Sequence, residues 1–309
     1  MPQRILEPGE IERLSSSTIP FLRLPDRGSL FVDRAARLRQ LAPGHPLGDY
    51  LQFVAAIAGV QHWALSNMAA VRLPDAEQLE RSRAHGMPPL GTQMHHRDHA
   101  WCDLLRRMLR RLADQITGVQ RRIVVQLDGE RDELYEAQAS KLLAGITLGL
   151  DLAYAPLIGA ALQVYWVHLV TALGSEHFGR IETGTVCPAC GSRPVASIAR
   201  IGGVEAGYRY LHCSVCATEW HMVRIKCTNC ESTKGIDYHG IEGKSKAVLA
   251  EGCDECNAYL KILYMDRDPQ VEPCADDLAS TSLDLLMAET GRLRSSQNLM
   301  LIHGDPEGS

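Results

Sequence analysis

Eight of the ten cysteines in this 309-residue chain fall in four CxxC pairs: Cys187/Cys190, Cys213/Cys216, Cys227/Cys230 and Cys253/Cys256. Moving 40 residues on from each cysteine of the first two pairs lands on a cysteine of the last two. An internal repeat of that kind means two copies of one structural unit. Two residues between cysteines let a tight turn aim both sulfurs at one ion, and a second turn completes a tetrahedron. The intervening stretch then forms a hairpin that returns the chain to the first knuckle. Four sulfurs with no open position make a closed centre, structural or electron-carrying, and not one that activates water.

The repeat favours Cys187, Cys190, Cys213 and Cys216 around one ion and Cys227, Cys230, Cys253 and Cys256 around another. An interleaved pairing, first knuckle with third and second with fourth, is geometrically open. All-sulfur tetrahedra suit zinc or iron, and zinc is the default for a closed ribbon. A small β module has little core of its own, so metal affinity is folding free energy, on the order of 10–16 kcal/mol per zinc site.

The rest of the chain has a different character. Residues 30–41, 47–70, 98–116, 130–143 and 148–173 carry apolar residues at helical spacing, clearest in the stripe Trp101, Leu105, Met108, Leu112 and Ile116. Pro74 to Gly91 reads as a connecting segment. From Cys187 to Asp266 the helical period gives way to short alternating runs, Tyr208–His212 and Glu219–Ile225, between glycine turns. A last helix is expected over 275–289, followed by a loose tail after Gln297. The predicted fold class is α+β: an all-α domain (1–180), a first four-Cys ribbon (181–226), a second (227–270), and a C-terminal helix and tail (271–309).

Residues 1–10 hold no apolar run of signal-peptide type, which predicts a cytoplasmic protein. The apolar stretch 142–173 is interrupted by Asp151, Pro156, Gln163 and His168, so it predicts a buried helix pair and no membrane insertion. The formal charge is −5 overall, and residues 187–266 carry nine Lys/Arg against nine Asp/Glu, a net of zero. A phosphate-tracking surface should be basic, so a nucleic-acid-binding zinc ribbon is the weaker alternative.

The pieces Cys187-Pro-Ala-Cys-Gly-Ser-Arg-Pro194, Arg209–Trp220, Arg224–Cys230, Ala250–Cys256, Tyr259-Leu-Lys261 and Ala275-Asp-Asp-Leu278 resemble the formate dehydrogenase accessory proteins (FdhE). Arg34-Ala-Ala-Arg-Leu38 and His45–Leu51 resemble that family's helical region. The resemblance implies two rubredoxin-like modules after a helical domain, and a maturation factor for respiratory formate dehydrogenase. It further implies contact with the molybdenum-containing catalytic subunit before export, and iron as the metal. Rubredoxin-type knuckles often place Gly after the second cysteine, where a positive φ is needed. Here Gly191 does so, but Ala217, Glu231 and Asn257 stand at the other three positions.

Several other residues have a functional and a plainer reading. His95 and His99 are spaced for a helical metal pair, but no further ligand lies near them in sequence, and a helix start is the simpler reading. Cys102 reads as a small core residue. Cys274, ahead of a helix, reads as inert, the alternative being a reactive thiolate. His212, His221 and His239 are expected to pack or face solvent. Arg106, Arg107, Arg110 and Arg111 read as a solvated helix face, or as a dock for an acidic partner. Trp220 and Tyr208 are expected in the ribbon's own core. An iron electron carrier is the further functional alternative. No nucleophile–base motif, phosphate loop or open metal pattern points to catalysis.

Overall fold

The computed structural model describes residues 19–303 apart from 182, 203, 204 and 244. The segment 1–10, read above for export signals, lies outside the described residues. Seven helices come first: α1 (Leu30–Leu41), α2 (Gly48–Ser66), α3 (Ala76–Ala84), α4 (Ala100–Ala113), α5 (Gly118–Asp128), α6 (Asp132–Ala144) and α7 (Ala155–Leu173). Their hub is α7, which is buried on nearly every side and against which α2, α4 and α6 pack. It is long and apolar enough to cross a membrane by composition, yet its apolar residues are the interior of this bundle. Pro156 sits in its first turn, where the missing N–H costs nothing.

The strands follow: β2 (Pro194–Ala199), β3 (Arg209–Cys213), β4 (Glu219–His221), β5 (Ile236–His239), β6 (Val248–Cys253) and β7 (Ala258–Tyr264). With β1 (Leu22–Arg23) and β8 (Leu293–Arg294) they make one sheet, in the order β1-β4-β3-β2-β7-β6-β5, with β8 added to β7. Each ribbon contributes an antiparallel trio. The two trios are fused by parallel pairing of β2 with β7, Ser197 opposite Ile262. Helices α8 (Pro273–Ala279) and α9 (Thr281–Glu289) lie between β7 and β8.

Three sequence expectations are corrected, and one helix is added that the apolar spacing did not mark. The segment 74–91 contains α3, a helix with no buried residue and hence no apolar period, nucleated by a capping box in which Asp75 and Gln78 satisfy each other's N–H. Helix α5 went unread because only Val124 and Leu127 of it are buried. The single C-terminal helix is two: Ser280 Oγ turns back to the Asp276 and Asp277 carbonyls and breaks the run. The tail is not loose up to residue 300, since Asn298, Leu299 and Met300 are buried against the helical core.

Candidate metal centres

The fold brings the eight knuckle cysteines together as two sequential quartets, and within each the four sulfurs lie within 4.8 Å of one another. In the first, Sγ of Cys187 is 3.5 Å from Cys216 and Sγ of Cys190 is 3.4 Å from Cys213. In the second the matching distances are 3.7 Å for Cys227–Cys256 and 3.8 Å for Cys230–Cys253. A disulfide would need about 2.05 Å, and all ten cysteines are free. Metal–sulfur bonds of about 2.3 Å in a tetrahedron put sulfurs roughly 3.8 Å apart, so the donor sets fit a single zinc- or iron-sized ion each.

The knuckles repeat in detail. Cys187 N donates to Ser192 O at 2.9 Å, and Gly191 N to Cys187 O at 2.8 Å. Forty residues on, Cys227 N donates to Ser232 O at 2.7 Å and Glu231 N to Cys227 O at 3.2 Å. Backbone N–H groups of Val215 and Cys216 point at Cys213 Sγ, as those of Asn229 and Cys230 point at Cys227 Sγ, stabilising thiolate charge. The chain reverses through a left-handed residue after every second cysteine: Gly191 (φ 73°), Ala217 (56°), Glu231 (62°) and Asn257 (55°). Among the described residues, those last three are the only non-glycine positive-φ positions. The sequence departure from Gly is therefore absorbed as strain of about 1–2 kcal/mol at Ala217 and Glu231, and less at Asn, not as a change of turn.

The surroundings of the quartets differ. All four sulfurs of the first are buried, and its knuckles share one apolar core with the helices. Leu90 N donates to Ala189 O and Thr92 N to Cys190 O, each at 3.0 Å, so residues 90–92 strap the first knuckle down. Trp166 Nε1 holds the strap through Leu90 O at 2.9 Å, and Gln163 Nε2 reaches the second knuckle at Ser214 O at 2.8 Å. In the second quartet Cys230 is exposed and Cys256 half-buried. Burial pushes the Cys227 thiol up to about 12. Against the burial that raises it, the Asn229 amide and the Ala258 N–H hold Cys256 down at about 7.

Three quoted sequence pieces turn out to be joined in space. Arg34 Nε donates to Glu272 Oε1 at 3.0 Å. Arg37 grips Asp276 with both nitrogens, at 2.9 and 2.7 Å. Lys261, fully buried, reaches Asp277 at 3.4 Å and Asp284 at 2.6 Å. Arg294 adds a contact to Asp277 at 2.6 Å. Nothing in local spacing marks these partners, which lie far apart along the chain; the one signal was that Arg34–Leu38, Tyr259–Lys261 and Ala275–Leu278 had family-like form.

The remaining candidates find places too. His95 is half-buried against Tyr165 and Trp166, whereas the exposed His99 lies near Asp132 and Cys102. Cys102 and Cys274 are both buried with thiols pushed up to about 12 by that burial, in keeping with the inert reading of Cys274 in the metal-free chain and against its alternative, a reactive thiolate. Arg106 pairs with Asp132 at 2.6 Å and Arg110 with Asp128 at 3.1 Å, while Arg107 and Arg111 stack over Trp63. Trp220 is buried in the ribbon core with its Nε1–H on Gly184 O at 2.8 Å.

Three family models match the chain in succession: FdhE, N-terminal, over residues 19–181; FdhE, central domain, over 186–224; and FdhE, C-terminal domain, over 225–301. A protein FdhE homolog of Pseudomonas aeruginosa is 43% identical over 98% of this chain and 99% of its own length. Protein FdhE of Salmonella dublin is 40% identical over 97% of both chains. The crystal structure of the FdhE protein from Pseudomonas aeruginosa superimposes with a TM-score of 0.83 at 40% identity, covering 93% of this chain and all of that one. With relatives this similar over nearly their whole length, the chain belongs to the FdhE family of formate dehydrogenase accessory proteins.

Proposed function

We propose that this protein matures respiratory formate dehydrogenase in the cytoplasm by binding its catalytic subunit, and that two metal ions hold the binding surface in shape. Cys187, Cys190, Cys213 and Cys216 ligate one ion; Cys227, Cys230, Cys253 and Cys256 ligate the other. The observation that carries this reading is the pair of closed sulfur quartets. A centre with all positions filled by protein shapes a surface and leaves no place for substrate. Membership of a family of formate dehydrogenase accessory proteins supports that enzyme as the client, and the role is non-catalytic.

Coprecipitation of the catalytic subunit with wild type and with single Cys→Ser variants tests it. The complex should weaken with loss of any ligand; an unchanged complex after several such substitutions refutes the proposal. Metal analysis of protein made without added zinc decides between iron and zinc.

A second reading, electron delivery to the client through iron, draws on the exposure of Cys230 and the partial exposure of Cys256, which bring one centre to the surface. It requires a red chromophore that bleaches on reduction. A colourless, zinc-loaded and fully active protein excludes it.

A further inference from the structure

A cavity of about 610 Å³ opens where β3 and β4 of the first ribbon face α1 and the start of α8, with Arg37, Arg200, His212, Glu219 and Glu272 in its wall. There His212, Glu272 and Cys274 each bring one ligand atom within 4.8 Å of the other two. All three are buried, at 3%, 7% and 3% exposure. They belong to neither sulfur quartet.

The state of His212 points to a ligand. Its Nδ1 lies 3.1 Å from Glu219 Oε1, and Arg200 grips the same carboxylate. A carboxylate accepts, so Nδ1 carries a proton, and in the neutral ring, the form that binds a metal, Nε2 presents the lone pair. That Nε2 is buried and has no hydrogen-bond partner among the described residues. An imidazole whose far nitrogen is anchored on a carboxylate is the arrangement that supports metal-ligating histidines, because it sets the tautomer and the ring orientation. With Nδ1 engaged, Nε2 is the atom left to serve the cluster.

Glu272 is braced in the same way. Arg34 Nε donates to its Oε1 at 3.0 Å and Ala275 N to its Oε2 at 2.6 Å, which leaves further lone pairs on both oxygens. Cys274 supplies the softer donor.

We propose that His212, Glu272 and Cys274 form a third metal site, of mixed imidazole, carboxylate and thiolate donors, for a divalent cation of the zinc class. One thiolate and one carboxylate match the two charges of the ion, while the Arg34 guanidinium stays paired to that carboxylate, and the Cys274 thiol proton leaves to solvent on binding. Three protein ligands leave a fourth position, which faces the cavity and is open to water or a small ligand. In this it differs from both closed quartets. The site ties β3 of the first ribbon to α8, so its occupancy reports on the docking of ribbon and helices.

The test counts zinc. Full-length protein stripped of metal is dialysed against Zn²⁺, and bound zinc per chain is measured. Wild type should bind one equivalent more than Cys274→Ala, while Cys102→Ala, which removes the other buried non-knuckle thiol, should match wild type. Equal counts for wild type and Cys274→Ala overturn the site and make a bridging water the partner of Nε2. Should Cys274→Ala fail to fold, wild type alone decides: zinc added beyond the quartets should slow iodoacetamide labelling of Cys274 on the order of tenfold, about 1.4 kcal/mol of protection. Unchanged labelling refutes the site. Neither measurement depends on the client or on the identity of the metal in the quartets.

Discussion

The two ribbons share a 40-residue repeat, the same backbone hydrogen bonds at the first knuckle and the same left-handed turns, yet they occupy opposite situations. The first is built into the helical domain. Its cysteines are core residues, strapped by residues 90–92 and reached by Gln163 of α7. The second hangs on the sheet through β7 and leans on the C-terminal segment, where Asn257 Nδ2 donates to Gly291 O at 2.7 Å and Arg292 clasps Asp237 and Asp254. One of its sulfurs meets solvent. Equal local chemistry therefore does not make equal sites. Position in the fold turns one quartet into part of the core and the other into a surface centre.

The largest effect that could break this contrast is loss of a ligand. Cys190→Ser should destabilise helical domain and ribbon together, by several kcal/mol of a gross site energy on the order of 10. Cys230→Ser should open only the second ribbon. Hydrogen exchange read peptide by peptide checks it, and equal spread of the two lesions would end the distinction. Metal removal comes next. A strong chelator should take one ion quickly and the other at least roughly ten times more slowly, since release from the first centre needs sub-global opening; a single phase would contradict the comparison.

A pH effect sharpens it further. Against the burial that would raise it, Arg200 and His212 hold the Glu219 carboxyl down at about 2, from an ordinary 4.5. A depressed pKa stabilises the fold above pH 4.5 and the benefit is lost as pH falls toward about 2, roughly 3 kcal/mol in all. The stability gap between wild type and Glu219→Gln, followed by denaturant melts, should shrink over that window. Glu251 in the second ribbon is shifted the other way, raised by burial despite Arg209, so acid takes no such contribution from it. The smallest effect is at the turns. Ala217→Gly should stabilise the first ribbon by about 1 kcal/mol in a thermal melt, by releasing the φ of 56°. Asn257→Gly should gain nothing, because Asn tolerates that conformation and its side chain bonds Gly291 O.

Much of this could be read along the chain. The helical period of α4 and the α7 stretch, the strands β3 and β4, and the grouping of eight cysteines by repeat all follow from spacing over a few residues, where geometry is local. Helix α3 could not be read, since a helix with no buried face has no period, and α5 barely could. The His212, Glu272 and Cys274 cluster was equally hidden: each residue has an ordinary local role, and only folding makes them neighbours.

By itself the sequence determined which eight sulfurs form the four knuckles, because a CxxC turn aims its thiols within four residues, and its repeat favoured the sequential pairing; the folded quartets alone decided against the interleaved one. Tertiary structure alone decided which quartet is buried, how β2 and β7 fuse two ribbons into one sheet, and that Arg34, Arg37 and Lys261 lock distant segments through Glu272, Asp276 and Asp277. Burial and ion pairing depend on what the rest of the chain brings into contact, and that information is not stored at any one place along it.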